Sequence, residues 1–292
     1  MKDVKIYDGA GWQSLKGPPG PSMPSADAGN ALALGTDALL FTTAPPDSDA
    51  YVWCKHGDTP QARYDLAKTL TPNGQPLSAT NRATLLILPG TYAESLTVDA
   101  QFVDVHAIGQ ATSQPSVRLG GINVTANDVR VSGIEVGGQF LINGLLPLQR
   151  FTNCTGGDFS FGGPDGAFGA GGHASGTFTN CTAGMLSFGA GSFGEFGTCN
   201  GWFENCTSSE LSFGVNTLVR GTFINCTGGD DCFGSGGGGS GTFTLCSGGR
   251  NAFDCAPLNG KCFAAYCTAA AAGNFDRITA LYCIRDGQEL RP

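Results

Sequence analysis

Charge is scarce in this sequence. Only 14% of its 292 residues are Asp, Glu, Lys or Arg, and 16 basic residues against 24 acidic ones leave a net charge of −8. Lys and Arg nowhere gather into a cluster, so the footprint of a nucleic-acid or anionic-lipid partner is missing and neither is expected. Long apolar runs are missing as well. Nowhere do about eighteen apolar residues follow one another, which excludes a helical membrane insertion. The opening MKDVKIYDGAGWQSL has no apolar stretch of the kind a secretory leader needs, and a chain without such a leader is expected. Histidine is rare, with three in the chain: His56, His106 and His173. No C-x-x-C pair accompanies them, so no zinc site is expected, and each histidine reads as a turn or surface residue. The G-x-S-x-G elbow that would start a Ser-His-Asp triad is absent. A formal G-x-G-x-x-G match, GAGSFG at 189, has no βαβ unit around it, so no dinucleotide or other cofactor is called for.

What the chain does have is glycine (46), phenylalanine (19), cysteine (12) and 41% apolar residues. Low charge with this many Phe argues against a solvated coil. Twelve cysteines suggest a disulfide framework until their spacing is read. FTNCTGG at 151, FTNCTAG at 178, FENCTSS at 203, FINCTGG at 223 and FTLCSGG at 243 are one motif, followed by the weaker AAYCTAA and ALYCIRD. The cysteines Cys154, Cys181, Cys206, Cys226, Cys246, Cys267 and Cys283 are 27, 25, 20, 20, 21 and 16 residues apart. Seven residues after each of the first five comes a phenylalanine: Phe161, Phe188, Phe213, Phe233 and Phe253. A fixed offset inside a variable period means rigid segments joined by loops of changing length, as in a solenoid.

Short β-prone runs such as GTFTN and LSFG, broken by Gly and Asn with no helical pattern between, favour a parallel β-helix with coils of about 20 residues. Phe and Cys three apart would face opposite ways in a regular strand. A left-handed residue between them turns both inward, and Asn tolerates that conformation. Asn153, Asn180, Asn205 and Asn225 are therefore expected to stack as a turn ladder, with the cysteines as a buried ladder of reduced thiols. The same turns account for the four N-C-T sequons. Cys232, Cys255 and Cys262 stand outside this ladder and leave room for one bridge.

Residues 82 to 109, RATLLILPGTYAESLTVDAQFVDVHAIG, resemble the opening coils of pectin-lyase-like right-handed β-helices: an apolar strand, PGTY, a second strand to Val98 and a third to AIG. TPQARYDLAKTL before them reads as a short helix with Thr59 as N-cap and Pro60 at its first position. In that family a helix commonly plugs the N-terminal end. The resemblance implies an all-β, right-handed parallel β-helix over 82–292, with 51–81 as connection and capping helix.

KGPPGPSMPSADAGNALALGTDALLFT, residues 16 to 42, resembles the linker and small module of tailed-bacteriophage fibre and baseplate appendages. Only two collagen-like triplets are present, Gly17 to Ser22, and as a bare proline-rich linker they would serve equally well. The likeness implies a virion-attachment segment over 1–50, a homotrimer, other tail or baseplate proteins as partners, a host-surface glycan as receptor, and a virion localisation.

Many β-helices cut polysaccharides, which takes two facing carboxylates or a base with a calcium site. Four residues after the ladder cysteine stand Asp158, Glu210 and Asp230, the last followed by Asp231. Glu210 and Asp230, with Asp231, are the best catalytic candidates. The same column holds Met185 and Arg250, and a solvated acidic edge explains it without chemistry. The Asp and Arg motifs of pectate lyases, polygalacturonases and pectin methylesterases are not found. Unequal loops at 163–175, 189–201 and 214–221 give a candidate binding face with Phe168, His173 and Phe196, while Phe193 and Trp202 are expected in the core or along a trimer axis. The expectation is a non-enzymatic tail component. A polysaccharide-degrading tailspike is the first alternative and a secreted β-helix adhesin the second.

Overall fold

The computed structural model describes residues 47–109, 117–142, 147–158, 160–161, 173–189, 198–215, 218–234, 238–253, 262–269, 279–285 and 288–290, with short strands at 5–7, 12–14, 32–34 and 40–42. The chain divides into two units, Met1–Pro46 and Asp47–Pro292. In the first, Lys5–Tyr7 pairs antiparallel with Trp12–Ser14, and Leu32–Leu34 with Leu40–Thr42. The collagen-like triplets at 17–22 lie outside the described residues.

Among its described residues the second unit is mostly β, with one short α-helix. Its main sheet has eleven strands, beginning with Tyr51–Cys54, Ala83–Ile87 and Val103–Ala107 and ending with Phe263–Ala265 and Thr279–Leu281. Every neighbouring pair in it is parallel, and the sheet order follows the chain order. In the repeat region the motif pairs with itself without slippage: Phe151 with Phe178, then Phe203, Phe223 and Phe243. A second parallel sheet stacks His173–Ala174, Thr198–Cys199, Leu218–Val219 and Gly238–Gly239. A third face carries Thr182–Ala183 on Thr207–Ser208 and, further on, Ser247–Gly248 on Thr268–Ala269. These stacked parallel sheets are compatible with a β-solenoid. At the far end Gln288–Leu290 pairs antiparallel with Cys283–Arg285 and covers that strand's edge.

Helix α1, Pro60–Ala67, starts at Thr59 with Pro60 in its first turn, although the Thr59 side chain makes no capping bond. It buries Pro60, Tyr64 and Ala67 against the first strands. The Tyr64 hydroxyl accepts the Ala100 N–H at 3.1 Å, and Arg63 Nε donates to the Trp53 carbonyl at 2.7 Å. Arg82 ties successive strands together: its guanidinium donates twice to Asp104, at 2.6 and 2.8 Å, and once to the Asp128 carboxylate at 2.9 Å.

The core of the repeat is aromatic. Phe151, Phe178, Phe203, Phe223 and Phe243 form one column with ring centroids 4.7–5.1 Å apart. Phe161, Phe188, Phe213, Phe233 and Phe253 form a second, spaced 4.7–5.1 Å. Across the interior the two columns meet edge to face, for example Phe203 with Phe213 at 6.1 Å and 85°. All ten rings are fully buried. Each contributes about 1.5–3 kcal/mol of burial, so an otherwise glycine-rich chain has a large driving force. Glycine is required where the turns press together. A Cβ on Gly201 would sit 2.5 Å from the Gly176 carbonyl oxygen, and one on Gly221 would sit 2.6 Å from that of Gly201.

One expected strand is absent. LSFG at 186–189 is a tight corner in which Leu186 and Phe188 are both left-handed, with φ of 53° and 52°. The Leu186 N–H bonds to Glu210 on one side of the stack and the Phe188 N–H to Ser160 on the other. Neighbouring turns hold the backbone in place of a strand ladder, and the bend is what swings Phe188 inward.

Candidate functional site

The thiol and amide ladders occupy one corner of the repeat. The residue before each ladder cysteine is left-handed throughout: Asn153, Asn180, Asn205 and Asn225 at φ 52–53°, then Leu245, Tyr266 and Tyr282 at 52–56°. The Asn amides join in a chain, with Asn180 donating to Asn153 at 3.0 Å, Asn205 to Asn180 at 3.1 Å and Asn225 to Asn205 at 2.8 Å. Where Asn gives way, Leu245, Tyr266 and Tyr282 are more than half exposed, and the two tyrosine rings stack at 5.5 Å.

The cysteines behind this turn, Cys154, Cys181, Cys206, Cys226, Cys246, Cys267 and Cys283, are buried reduced thiols. Cys232 belongs to another column. It stands after Ser160, Ser187 and Ser212, with its thiol 3.2 Å from the Ser209 carbonyl. Those serines form a buried ladder of their own: Ser160 N–H donates to Ser187 Oγ and Ser187 N–H to Ser212 Oγ, both at 3.1 Å. Burial pushes the Cys232 thiol up to about 12 and the isolated Cys54 up to about 11, so neither is a ready nucleophile. Cys255 lies outside the described residues.

The carboxylate column has a structural task at two of its members. Asp158 accepts the Met185 N–H at 2.7 Å, and Asp230 accepts the Arg250 N–H at 2.8 Å. Asp230 also takes the Arg250 guanidinium, with Nε at 2.8 Å and NH2 at 2.7 Å. Its pKa is held below the usual value by the Arg250 backbone N–H and then by the Arg250 side chain. Asp231 accepts from Asn251 Nδ2 at 2.9 Å, one turn on. Glu210 lies on the turn next to Asp230, since the Leu211 N–H bonds to the Asp230 carbonyl at 2.9 Å. Thus Arg250 and Asn251, on the following turn, engage Asp230 and Asp231, whereas Glu210 stands on the preceding one.

His56 is an exposed turn residue, as expected, whereas His106 and His173 lie in strands. His173 opens its strand and places Nδ1 2.9 Å from Thr198 Oγ1 on the next turn. His106 is half-buried, with Nδ1 hydrogen-bonded to Ser132 Oγ. Burial lowers its pKa. Phe168, Phe193 and Phe196 lie outside the described residues. Trp202 lies on the outer face of the main sheet and is 45% exposed, so the expected place in the core is corrected: its neighbour Phe203 takes the inward position.

Near helix α1 a shallow cleft of about 200 Å³ is lined by His56, Asp58, Thr59, Thr91, Tyr92 and Glu94. It falls below the roughly 300 Å³ at which small-molecule pockets begin. No sequence signal announced it, because His56 and Glu94 stand 38 positions apart and meet only in the folded chain. Among the described residues no three His, Cys, Asp or Glu side chains converge to hold a metal ion. Comparison with known protein families, curated proteins and solved structures yields no match for this chain.

Proposed function

We propose that this chain is a structural component of a bacteriophage tail, a trimeric fibre or baseplate appendage built on a right-handed parallel β-helix with coils of about 20 residues. The observation that carries the reading is the unbroken, in-register stack of eleven parallel strands. At about 4.8 Å per strand it makes a stiff body roughly 50 Å long, filled by interlocked Phe rings over its repeat region and by Val, Leu and Ile before it. Stiffness over that length suits a part that holds something at a distance.

Residues 1–50, with their likeness to appendage linkers, are the attachment end, and the loops between repeats are the face for a host-surface glycan. Reduced, buried thiols suit a protein folded in a reducing cytoplasm before it is built into a particle. Light scattering tests the trimer. A mass three times the chain's 29.9 kDa is expected, and a monomer at working concentration would remove it.

A further inference from the structure

We propose that the cysteine ladder is a binding site for soft divalent cations that take two thiolates in a line, such as mercury(II). Each ladder thiol points at the same two carbonyl oxygens. One belongs to the turn before: Val131 for Cys154, then Phe151, Phe178, Phe203, Phe223, Phe243 and Ala264, all at 3.4–3.5 Å. The other lies two residues back in the same turn, at 3.3–3.5 Å.

Seven thiols with one shared geometry have their sulfurs separated by the rise of the stack. The phenylalanines three residues before the first five measure that rise at 4.7–5.1 Å, and Ala264 and Ala280, three residues before Cys267 and Cys283, continue the same pairing register. A disulfide needs its sulfurs at about 2.05 Å, less than half of this. Two collinear metal–sulfur bonds of about 2.3 Å span about 4.6 Å, which the ladder meets within a few tenths of an ångström. Thiolates select soft ions, and no third ligand converges here to make a tetrahedral site.

Charge selects the divalent ion. When two S–H bonds break and two S–Hg bonds form, two protons leave to the buffer and no electron is transferred. The product is neutral, so the apolar interior meets no ionic desolvation cost. A univalent ion would leave one negative charge buried per site. Seven thiols taken in adjacent pairs hold three ions. Cys199 has Ala174 and Val219 as its stack neighbours and Cys54 has Ile87, so neither has a thiol beside it in its own stack. Entry requires turns to part locally, so loading is slow.

The test is native mass spectrometry of the whole chain after prolonged incubation with mercuric chloride, with X-ray absorption at the mercury edge. The parent is expected to hold three more ions than the triple variant Cys181→Ala, Cys226→Ala, Cys267→Ala, whose remaining ladder thiols are about 10 Å apart. Each ladder ion should have two sulfur neighbours. Cys226→Ala alone, which leaves two runs of three thiols, should lose one ion and hold two on the ladder. Equal loading of parent and variants would overturn the proposal. So would a first shell of three or more sulfurs, or loading that occurs only with loss of the parent's β circular dichroism.

Discussion

Asn205 donates its side-chain amide to Asn180 and accepts that of Asn225, while its own backbone is left-handed at φ 53°. Asn205→Ala removes two hydrogen bonds and puts in the left-handed region a residue that tolerates it less well than Asn, so a loss of about 2–3 kcal/mol is expected in urea unfolding. Asn205→Gly keeps the backbone conformation and should cost less; equal costs would show that the turn contributes nothing. Leu245 holds the same conformation, at φ 56°, with its side chain 56% exposed. Leu245→Asn relieves that strain and extends the amide chain by one member. It should raise the melting temperature by about 2–4 °C, and a drop would contradict the ladder's energetic role.

His106 supplies a pH test at the same scale. Burial lowers its pKa in the folded chain, so the unfolded chain binds the proton more readily. Its contribution is present above the ordinary histidine value near 6.5 and is lost as pH falls through the lowered one. Melting curves from pH 7 to 5 should therefore show a decline that His106→Gln flattens. An identical slope in the variant would contradict it.

At the scale of the element, the stacked rings bear the load. Phe203 lies between Phe178 and Phe223 at 4.8 and 4.7 Å and meets Phe213 edge-on. Phe203→Ala leaves a void in a column that cannot close, because each turn is fixed to the next by backbone bonds. A loss of about 3–5 kcal/mol is expected by calorimetry, with Phe203→Leu in between. A loss under about 1 kcal/mol would mean that the columns relax freely.

This scale also shows what could be read from residues alone. The Asn–Cys turn was legible because only a left-handed residue lets Phe and Cys three apart face the same way. The start of α1 was legible because Thr59-Pro60 is a local signal. The corner at 186–189 was not. Leu, Ser and Phe have no local preference for φ near 53°, and the turns above and below impose it. The buried serines escaped for the same reason, since Ser187 looks like a surface residue until Ser160 N–H is found bonded to it. Arg82 was equally silent, being 46 positions from its partner Asp128. Of the proposed carboxylates, sequence gave the shared column but could not show that Arg250 and Asn251 engage Asp230 and Asp231.

For the whole molecule, the regular stack transmits one geometry from the helix-covered beginning to the antiparallel strand at 288–290. A body of this kind has few soft modes along its axis, and its variation lies in the loops between repeats. That division of labour underlies the proposed role as a stiff appendage. The most direct test is a cryo-EM reconstruction of a tailed particle assembled with this protein. Three copies on the tail or baseplate, with residues 1–50 at the attachment point and the strand stack projecting outward, are predicted. A particle complete without the protein, or one holding it singly with the stack buried and residues 1–50 free, would contradict the account.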